Sequence, residues 1–347
     1  MPSVTADRSD PRLDLLRDWL SRGLGWRDAA VAPASADASF RRYFRVWNGE
    51  RSLIVMDAPP EREDIEPFVR VAAALAGLGV TVPQVLEEDR AAGFLLLTDL
   101  GSTPYLSALG NPARVDALYR DATEALIRIQ ARGGQAAEAL PPYDAALLDR
   151  EIQLLPDWFL TRHLESPPSP ADCDLLGRAA AQLVTAALEQ PQVFVHRDFH
   201  SRNLMAVHPG NPGIIDFQDA VRGALTYDLV SLFKDCYIGW PRARVLAWVC
   251  DYRRRALAGG VPVAQDDVEF IRWFDLMGLQ RHLKVLGIFA RLWYRDAKAA
   301  YLRDLPMVLA YVLETTGSYG ELAELDRFLR EAVVPRFAAA QARALAL

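Results

Sequence analysis

The sequence predicts an α+β chain with a small β-rich lobe over residues 1–100 and a larger, mostly helical lobe over 101–347. Alternating apolar runs, broken by turn residues, crowd into residues 30–98. Beyond Gly101 the apolar positions recur at helical spacing, apart from a short strand island near 193–215. The 347 residues are 51% hydrophobic, enough for two cores and too apolar for a disordered chain.

The elements follow in order. Asp10 caps and Pro11 opens a first helix whose stripe is Leu13, Leu16, Trp19 and Leu20 and which ends near Gly23. Residues 40–47 and 52–56 read as strands joined at Asn48-Gly49, a strong hairpin signal. Pro59-Pro60 ends the second strand. A helix follows, with Ile65, Phe68, Val69, Ala72 and Ala76 on one face and Gly79 as its stop. Residues 82–86 and 94–98 form a second strand pair, so 30–98 reads strand, strand, helix, strand, strand. Helical patterns then run over 112–131, 144–163, 170–190, 226–238, 241–259, 265–290, 296–315 and 320–345, with the strand island at 193–195, 204–207 and 213–215.

Composition excludes several classes. A formal net charge of −6 argues against a dedicated nucleic-acid binder. The three cysteines (Cys173, Cys236, Cys250) form no CxxC pair, which fits a reducing compartment and no zinc ribbon. No basic-then-apolar leader opens the sequence, and no apolar run reaches about 20 residues. A cytoplasmic protein that engages neither membrane nor nucleic acid is expected, and no protein partner is implied. Only Lys234, Lys284 and Lys298 are lysines, and none precedes Ser or Thr, so there is no P-loop. His196 and His200 have the spacing of a helical zinc pair, but they follow a strand and lack the accompanying glutamate.

The informative stretch is His196-Arg197-Asp198-Phe199-His200-Ser201-Arg202-Asn203, followed by Ile214-Ile215-Asp216-Phe217. It reads H-R-D-x-x-x-x-N, a short apolar strand, then D-F, the spacing of a phosphoryl-transfer catalytic loop and its metal-binding aspartate. Such transfer needs an acceptor hydroxyl held in line and Mg²⁺ on the phosphates. Asp198 suits the catalytic role of orienting the hydroxyl and taking its proton. Asn203 and Asp216 offer the hard oxygens Mg²⁺ selects. Each of the three alone would read as an ordinary turn residue.

These residues resemble the aminoglycoside phosphotransferase superfamily, the small-molecule branch of the protein-kinase-like fold. The resemblance runs from about Ser35 to Arg303 and is most specific at 196–203, 214–219 and GALTYDLVSL (223–232). More narrowly, ADASFRRYFR (36–45), IVMDAPP (54–60), LLLTDLG (95–101) and WFDLMGLQRHLK (273–284) resemble the bacterial kinases that phosphorylate the anomeric hydroxyl of N-acetylmuramate and N-acetylglucosamine. The resemblance implies a bilobal protein-kinase-like fold, ATP and Mg²⁺ as cofactors, and an amino sugar as the small-molecule partner.

It also implies site residues. Ser35, Asp37, Ala38 and Ser39 fall where the nucleotide-binding loop lies, and small residues there let backbone N–H groups approach phosphate. Leu97 and Asp99 fall in the hinge that holds adenine. The usual phosphate-pairing lysine is missing, because the strand reads Leu53-Ile54-Val55-Met56-Asp57; Arg41, Arg42 or Arg45 is expected to supply the charge. His196 and Asp228 are expected to support the catalytic loop, Asp228 as a helix cap. For the sugar, His200, Arg202, Lys234, Asp235, Gln280, Arg281 and Lys284 are the candidates. Arg281 or Lys284, on a basic stripe that continues to Arg291, Tyr294, Arg295 and Lys298, is expected to read the lactyl carboxylate. Trp240, Trp273 and Trp293 are further candidates for stacking on the ring. Two alternatives remain open: a kinase of another small alcohol (aminoglycoside, choline or homoserine type), and a nucleotide-binding pseudokinase scaffold.

Overall fold

The computed structural model describes residues 10–35 and 40–346. The chain divides into two units, residues 1–102 with 207–218, and residues 103–206 with 219–347.

The first unit is built on a five-stranded antiparallel sheet, ordered β1 (Ala30–Ser35), β2 (Arg42–Asn48), β3 (Arg51–Asp57), β5 (Phe94–Thr98), β4 (Val85–Asp89). β1 was not expected. Its Pro33 lacks a ladder donor and argues against a strand, yet β1 sits at the sheet edge, where proline is tolerated. The β2–β3 hairpin turns at Gly49-Glu50, with Gly49 at φ +64. Period-2 alternation puts Phe44, Val46, Leu53, Val55, Phe94 and Leu96 on one face. The helix Pro11–Asp18 and the wide turn Trp19–Gly23 cover that face with Leu16 and Leu20. Asp57 is wholly buried there and is neutralised by Arg12 and Arg42, the latter at 2.6 Å. β4 begins at Val85 rather than residue 82, because Thr81 leaves to bridge Gly213 of β8 (Gly213–Ile214); Ile214 N–H donates to Thr81 O at 2.8 Å. That bridge ties 207–218 to the first unit.

The second unit packs around one 28-residue helix, Asp267–Tyr294, buried on most sides by Leu155, Phe159, Leu183, Leu305 and Val308. Three long helices expected from periodicity are interrupted, each next to a proline. The 144–163 pattern splits into Ala145–Ile152 and a wide turn Leu155–His163 at Pro156; 296–315 splits at Pro306; 320–345 splits at Pro335. The expected 226–238 helix is only Tyr227–Phe233. A two-stranded ribbon pairs β6 (Gln192–Val195) with β9 (Val221–Ala224), another strand not expected, and Leu204–Met205 forms the short strand β7.

Candidate active site

In the second unit β6 delivers the chain into the loop that carries Asp198. Two buried carboxylates hold this loop. Asp228 accepts the backbone N–H of His196 at 2.7 Å and of Arg197 at 3.0 Å. Asp235 accepts the N–H of Ser201 and of Tyr237, each at 3.0 Å. Asp228 is therefore not a helix cap: Thr226 precedes the helix, and the Asp228 carboxylate faces back to the loop. Burial pushes its carboxyl up to about 7 against the pull of the two N–H donors. The clamp holds Arg197 at φ +76, a left-handed conformation that costs a non-glycine residue about 1–3 kcal/mol. His196 Nδ1 accepts the Asp198 N–H at 3.2 Å, and Asn203 Nδ2 donates to Asp198 O at 3.1 Å.

The loop rests on Glu151, a residue that sequence reasoning missed. Its buried carboxylate takes Arg197 Nη2 at 2.6 Å, Lys284 Nζ at 2.9 Å and the Tyr143 hydroxyl. Lys284 also donates to Tyr227 Oη at 3.1 Å. Burial would raise the Glu151 pKa, but Lys284 and Arg197 outweigh it and hold the carboxyl below its ordinary range. Asp198 has the same balance: desolvation raises it, while the nearby cations, among them Lys284, Arg281 and Arg197, win and keep it ionised. Its side chain is 46% exposed, so it remains accessible. His200, with Nε2 4.0 Å from Asp198, is buried and shifted toward the neutral form by that burial.

Asp198, Arg197, Glu151 and Lys284 line one cavity of about 330 Å³, together with Arg150, Leu154, Asp219, Ile288 and Arg291. The long helix can line it because Gly287 lies against the backbone of Leu154. A Cβ there would sit 2.3 Å from the Leu154 carbonyl carbon and oxygen. The result is a carboxylate held ionised at the wall of a cation-rich cavity, on a loop with phosphoryl-transfer spacing.

The sequence model of the phosphotransferase enzyme family matches residues 30–265. The chain belongs to this phosphotransferase family. A curated relative in Pseudomonas aeruginosa, named N-acetylmuramate/N-acetylglucosamine kinase, is 48% identical over 92% of this chain and 96% of its own length. One of the same name in Neisseria meningitidis is 42% identical over 92% of this chain and 95% of the relative. The solved structure of Plasmodium vivax ethanolamine kinase superposes with TM-score 0.60 over 89% of this chain and 91% of that one, at 11% identity, a likeness of fold alone. This phosphotransferase is a small-molecule kinase with the protein-kinase-like fold.

Several side chains of the phosphotransferase expected at the sugar do not line the cavity. Lys234 is 1% exposed and sealed between Asp275 at 3.3 Å and Glu314 at 3.2 Å. Reaching a substrate would break a buried pair, which is strongly unfavourable. Arg281 is buried too, bonded to Ser231 Oγ at 2.8 Å and Cys236 Sγ at 3.5 Å, and acts on Asp198 only through its charge. Gln280 is buried toward Leu148 O at 3.4 Å. Asp235 holds the loop rather than a ligand. Arg202 lies 3.5 Å over the Tyr237 ring and 3.9 Å from Asp304. Trp240 donates to Tyr119 Oη at 2.7 Å in an aromatic cluster, and neither Trp273 nor Trp293 lines the cavity.

In the first unit of the phosphotransferase, Asp37, Ala38 and Ser39 and the side chain of Ser35 lie outside the described residues. Leu97 is buried in β5. Asp99 takes a two-pronged bond from Arg45 at 2.7 and 3.0 Å, and Arg45 also donates to Gly101 O at 2.8 Å. Arg42 points to the Asp57 face and Asp10, so it is committed to the sheet. Arg41 lies 3.7 Å from Glu63. Asp216 follows β8 at φ +62 and accepts Gln218 Nε2 at 2.9 Å. Its carboxylate and the amide oxygen of Asn203 are hard donors of the class Mg²⁺ takes. Among the described residues no group of three or more His, Cys, Asp or Glu side chains could hold a metal ion.

Proposed function

We propose that this protein is an ATP- and Mg²⁺-dependent sugar 1-kinase. It phosphorylates the anomeric hydroxyl of N-acetylmuramate and N-acetylglucosamine to give the sugar 1-phosphate and ADP in cell-wall recycling, as a cytoplasmic enzyme. The observation that carries the reading is the near full-length similarity to curated N-acetylmuramate/N-acetylglucosamine kinases, met by an ionised, accessible Asp198 at a cation-rich cavity. No helix among the described residues is long and apolar enough to cross a membrane.

Asp198 orients the sugar O1–H and accepts its proton as O1 bonds to the γ-phosphorus and the bond to ADP breaks. The anomeric hydroxyl is more acidic than an ordinary alcohol because the ring oxygen withdraws charge, so a carboxylate suffices as a weak base. Mg²⁺ would offset phosphate charge, with Asn203 and Asp216 as the residues assigned to it. Leu97 and Asp99 are assigned to the nucleotide, and Arg45 positions Asp99 through its fork.

The test is direct. Purified protein with MgATP should convert both sugars to products whose phosphorus resonance couples to the anomeric proton, and the methyl glycosides should be inert. Turnover of ethanolamine, choline or an aminoglycoside, with neither sugar reacting, would replace this reading with another small-alcohol kinase.

A further inference from the structure

The cavity beside Asp198 holds four cations, and they are not equivalent. Arg197 and Lys284 are both spent on Glu151, at 2.6 and 2.9 Å. Arg150 and Arg291 have no carboxylate partner among the described residues. Arg291 is half-buried, and its Nε is shielded from solvent with no hydrogen-bond partner. Burial and the neighbouring Arg295 both disfavour its charge, with Asp296 acting the other way. An arginine held in this state is short of an anion. The carboxylates that share the cavity do not meet that need: Glu151 is occupied, Asp198 faces the reacting hydroxyl, and Asp219 is exposed on the rim.

The apolar lining completes the pattern. Ile288 lies one turn before Arg291 on the same helix face as Lys284, and Leu154 comes from the wide-turn side opposite Gly287. Cation and apolar carbon thus stand side by side on one wall. N-acetylmuramate differs from N-acetylglucosamine by a lactyl ether, which is a carboxylate and a methyl on one carbon.

We infer that Arg291, assisted by Arg150, receives the lactyl carboxylate, and that Leu154 and Ile288 receive its methyl. This rests on the sugar-kinase reading above and moves the acid-reading role from Arg281 and Lys284 to Arg291, two turns beyond Lys284 on the same helix, and to Arg150 on the Ala145–Ile152 helix. It also accounts for tolerance of the neutral sugar. Arg150 is exposed, and only the Nε of Arg291 is shielded without a partner, so the outer nitrogens of both keep water when no acid arrives, and N-acetylglucosamine forgoes an attraction without stranding a whole buried charge.

Calorimetric titration of the whole protein with N-acetylmuramate and with its methyl ester tests the assignment. Wild-type protein should bind the acid about 10- to 100-fold tighter than the ester, the range of a charge-assisted hydrogen bond. Arg150→Gln/Arg291→Gln should remove that preference. Arg291→Lys should keep part of it, because charge remains while the planar fork is lost. The kcat/KM ratio of N-acetylmuramate to N-acetylglucosamine should fall by the same factor, with the smaller loss on the neutral sugar showing that the variant is folded. Equal binding of acid and ester by wild type, binding of neither, or a preference that survives the double substitution would each overturn the assignment. A matching rise in KM for ATP would place the guanidinium on the donor and overturn it too. Failure of the sugar-kinase reading looks different: wild type phosphorylates neither sugar, whichever ligand it binds.

Discussion

Asp198 and Glu151 divide the work of one short loop. Asp198 keeps its charge with no cation paired to it directly, because Arg197 and Lys284 are committed to Glu151 instead. Asp198→Asn should lower kcat about 10²- to 10⁴-fold with little change in KM for ATP; turnover close to wild type would remove Asp198 from the reaction. Glu151→Gln strands Arg197 and Lys284 in a site where their side chains are 22% and 10% exposed. Breaking such a buried pair costs about 3–5 kcal/mol, so the variant should melt several degrees lower and lose kcat, and an unchanged melting curve would contradict the pairing. Asp198 stood out in the sequence because residues 196–203 form one contiguous motif. Glu151 did not, because it lies 46 residues from Arg197 and in an ordinary amphipathic pattern. Arg281 misled for the opposite reason: a charged residue in an apolar helix signals a partner, but sequence does not say whether that partner is a substrate or, as here, Ser231.

At the scale of elements, periodicity found the buried faces, while proline decided where helices stop. Pro156, Pro306 and Pro335 each sit near the start of a new segment, where their missing N–H is harmless, so a single apolar stripe is carried by two helices in turn. The same residue type hid β1, whose Pro33 is acceptable only because that strand turned out to be an edge. Gly287 is the element-scale feature on which the cavity depends. Gly287→Ala would press a Cβ into Leu154 backbone atoms, which no rotamer change relieves. A loss of about 1–3 kcal/mol is expected, with a raised KM for the sugars as the helix is pushed off; thermal melting and steady-state kinetics read both, and a silent substitution would show that the two backbones do not approach this closely.

For the whole molecule, acid stability turns on buried histidines. Burial pulls His163 down to about 4 and His282 to about 3, both below the ordinary 6.5. A base whose folded pKa is depressed contributes stability that is complete above its unfolded value and is lost as pH falls through the folded one. The melting temperature should therefore drop between pH 6.5 and 4. His200, also lowered by burial, adds in the same sense, while Asp228, raised to about 7, acts in the opposite sense over this window, so the wild-type slope reports their sum. His163→Phe isolates one contribution. The ring already stacks on Phe159 at 5.7 Å, so phenylalanine should fit, and the acid limb should flatten by up to about 3 kcal/mol. An unchanged pH slope would take His163 out of the account.

The bridge between Thr81 and Gly213 also has a consequence for biosynthesis. The chain passes from one unit to the other three times, at 102/103, 206/207 and 218/219. A ribosome that has released the five strands of the sheet has not yet made the segment that carries Asp216. The first unit must wait, incomplete, while more than a hundred residues of the second emerge, and neither unit can be cut out as one uninterrupted stretch of gene. The first unit can be completed only after residue 218 clears the exit tunnel, and the second only after the rest of the chain has followed.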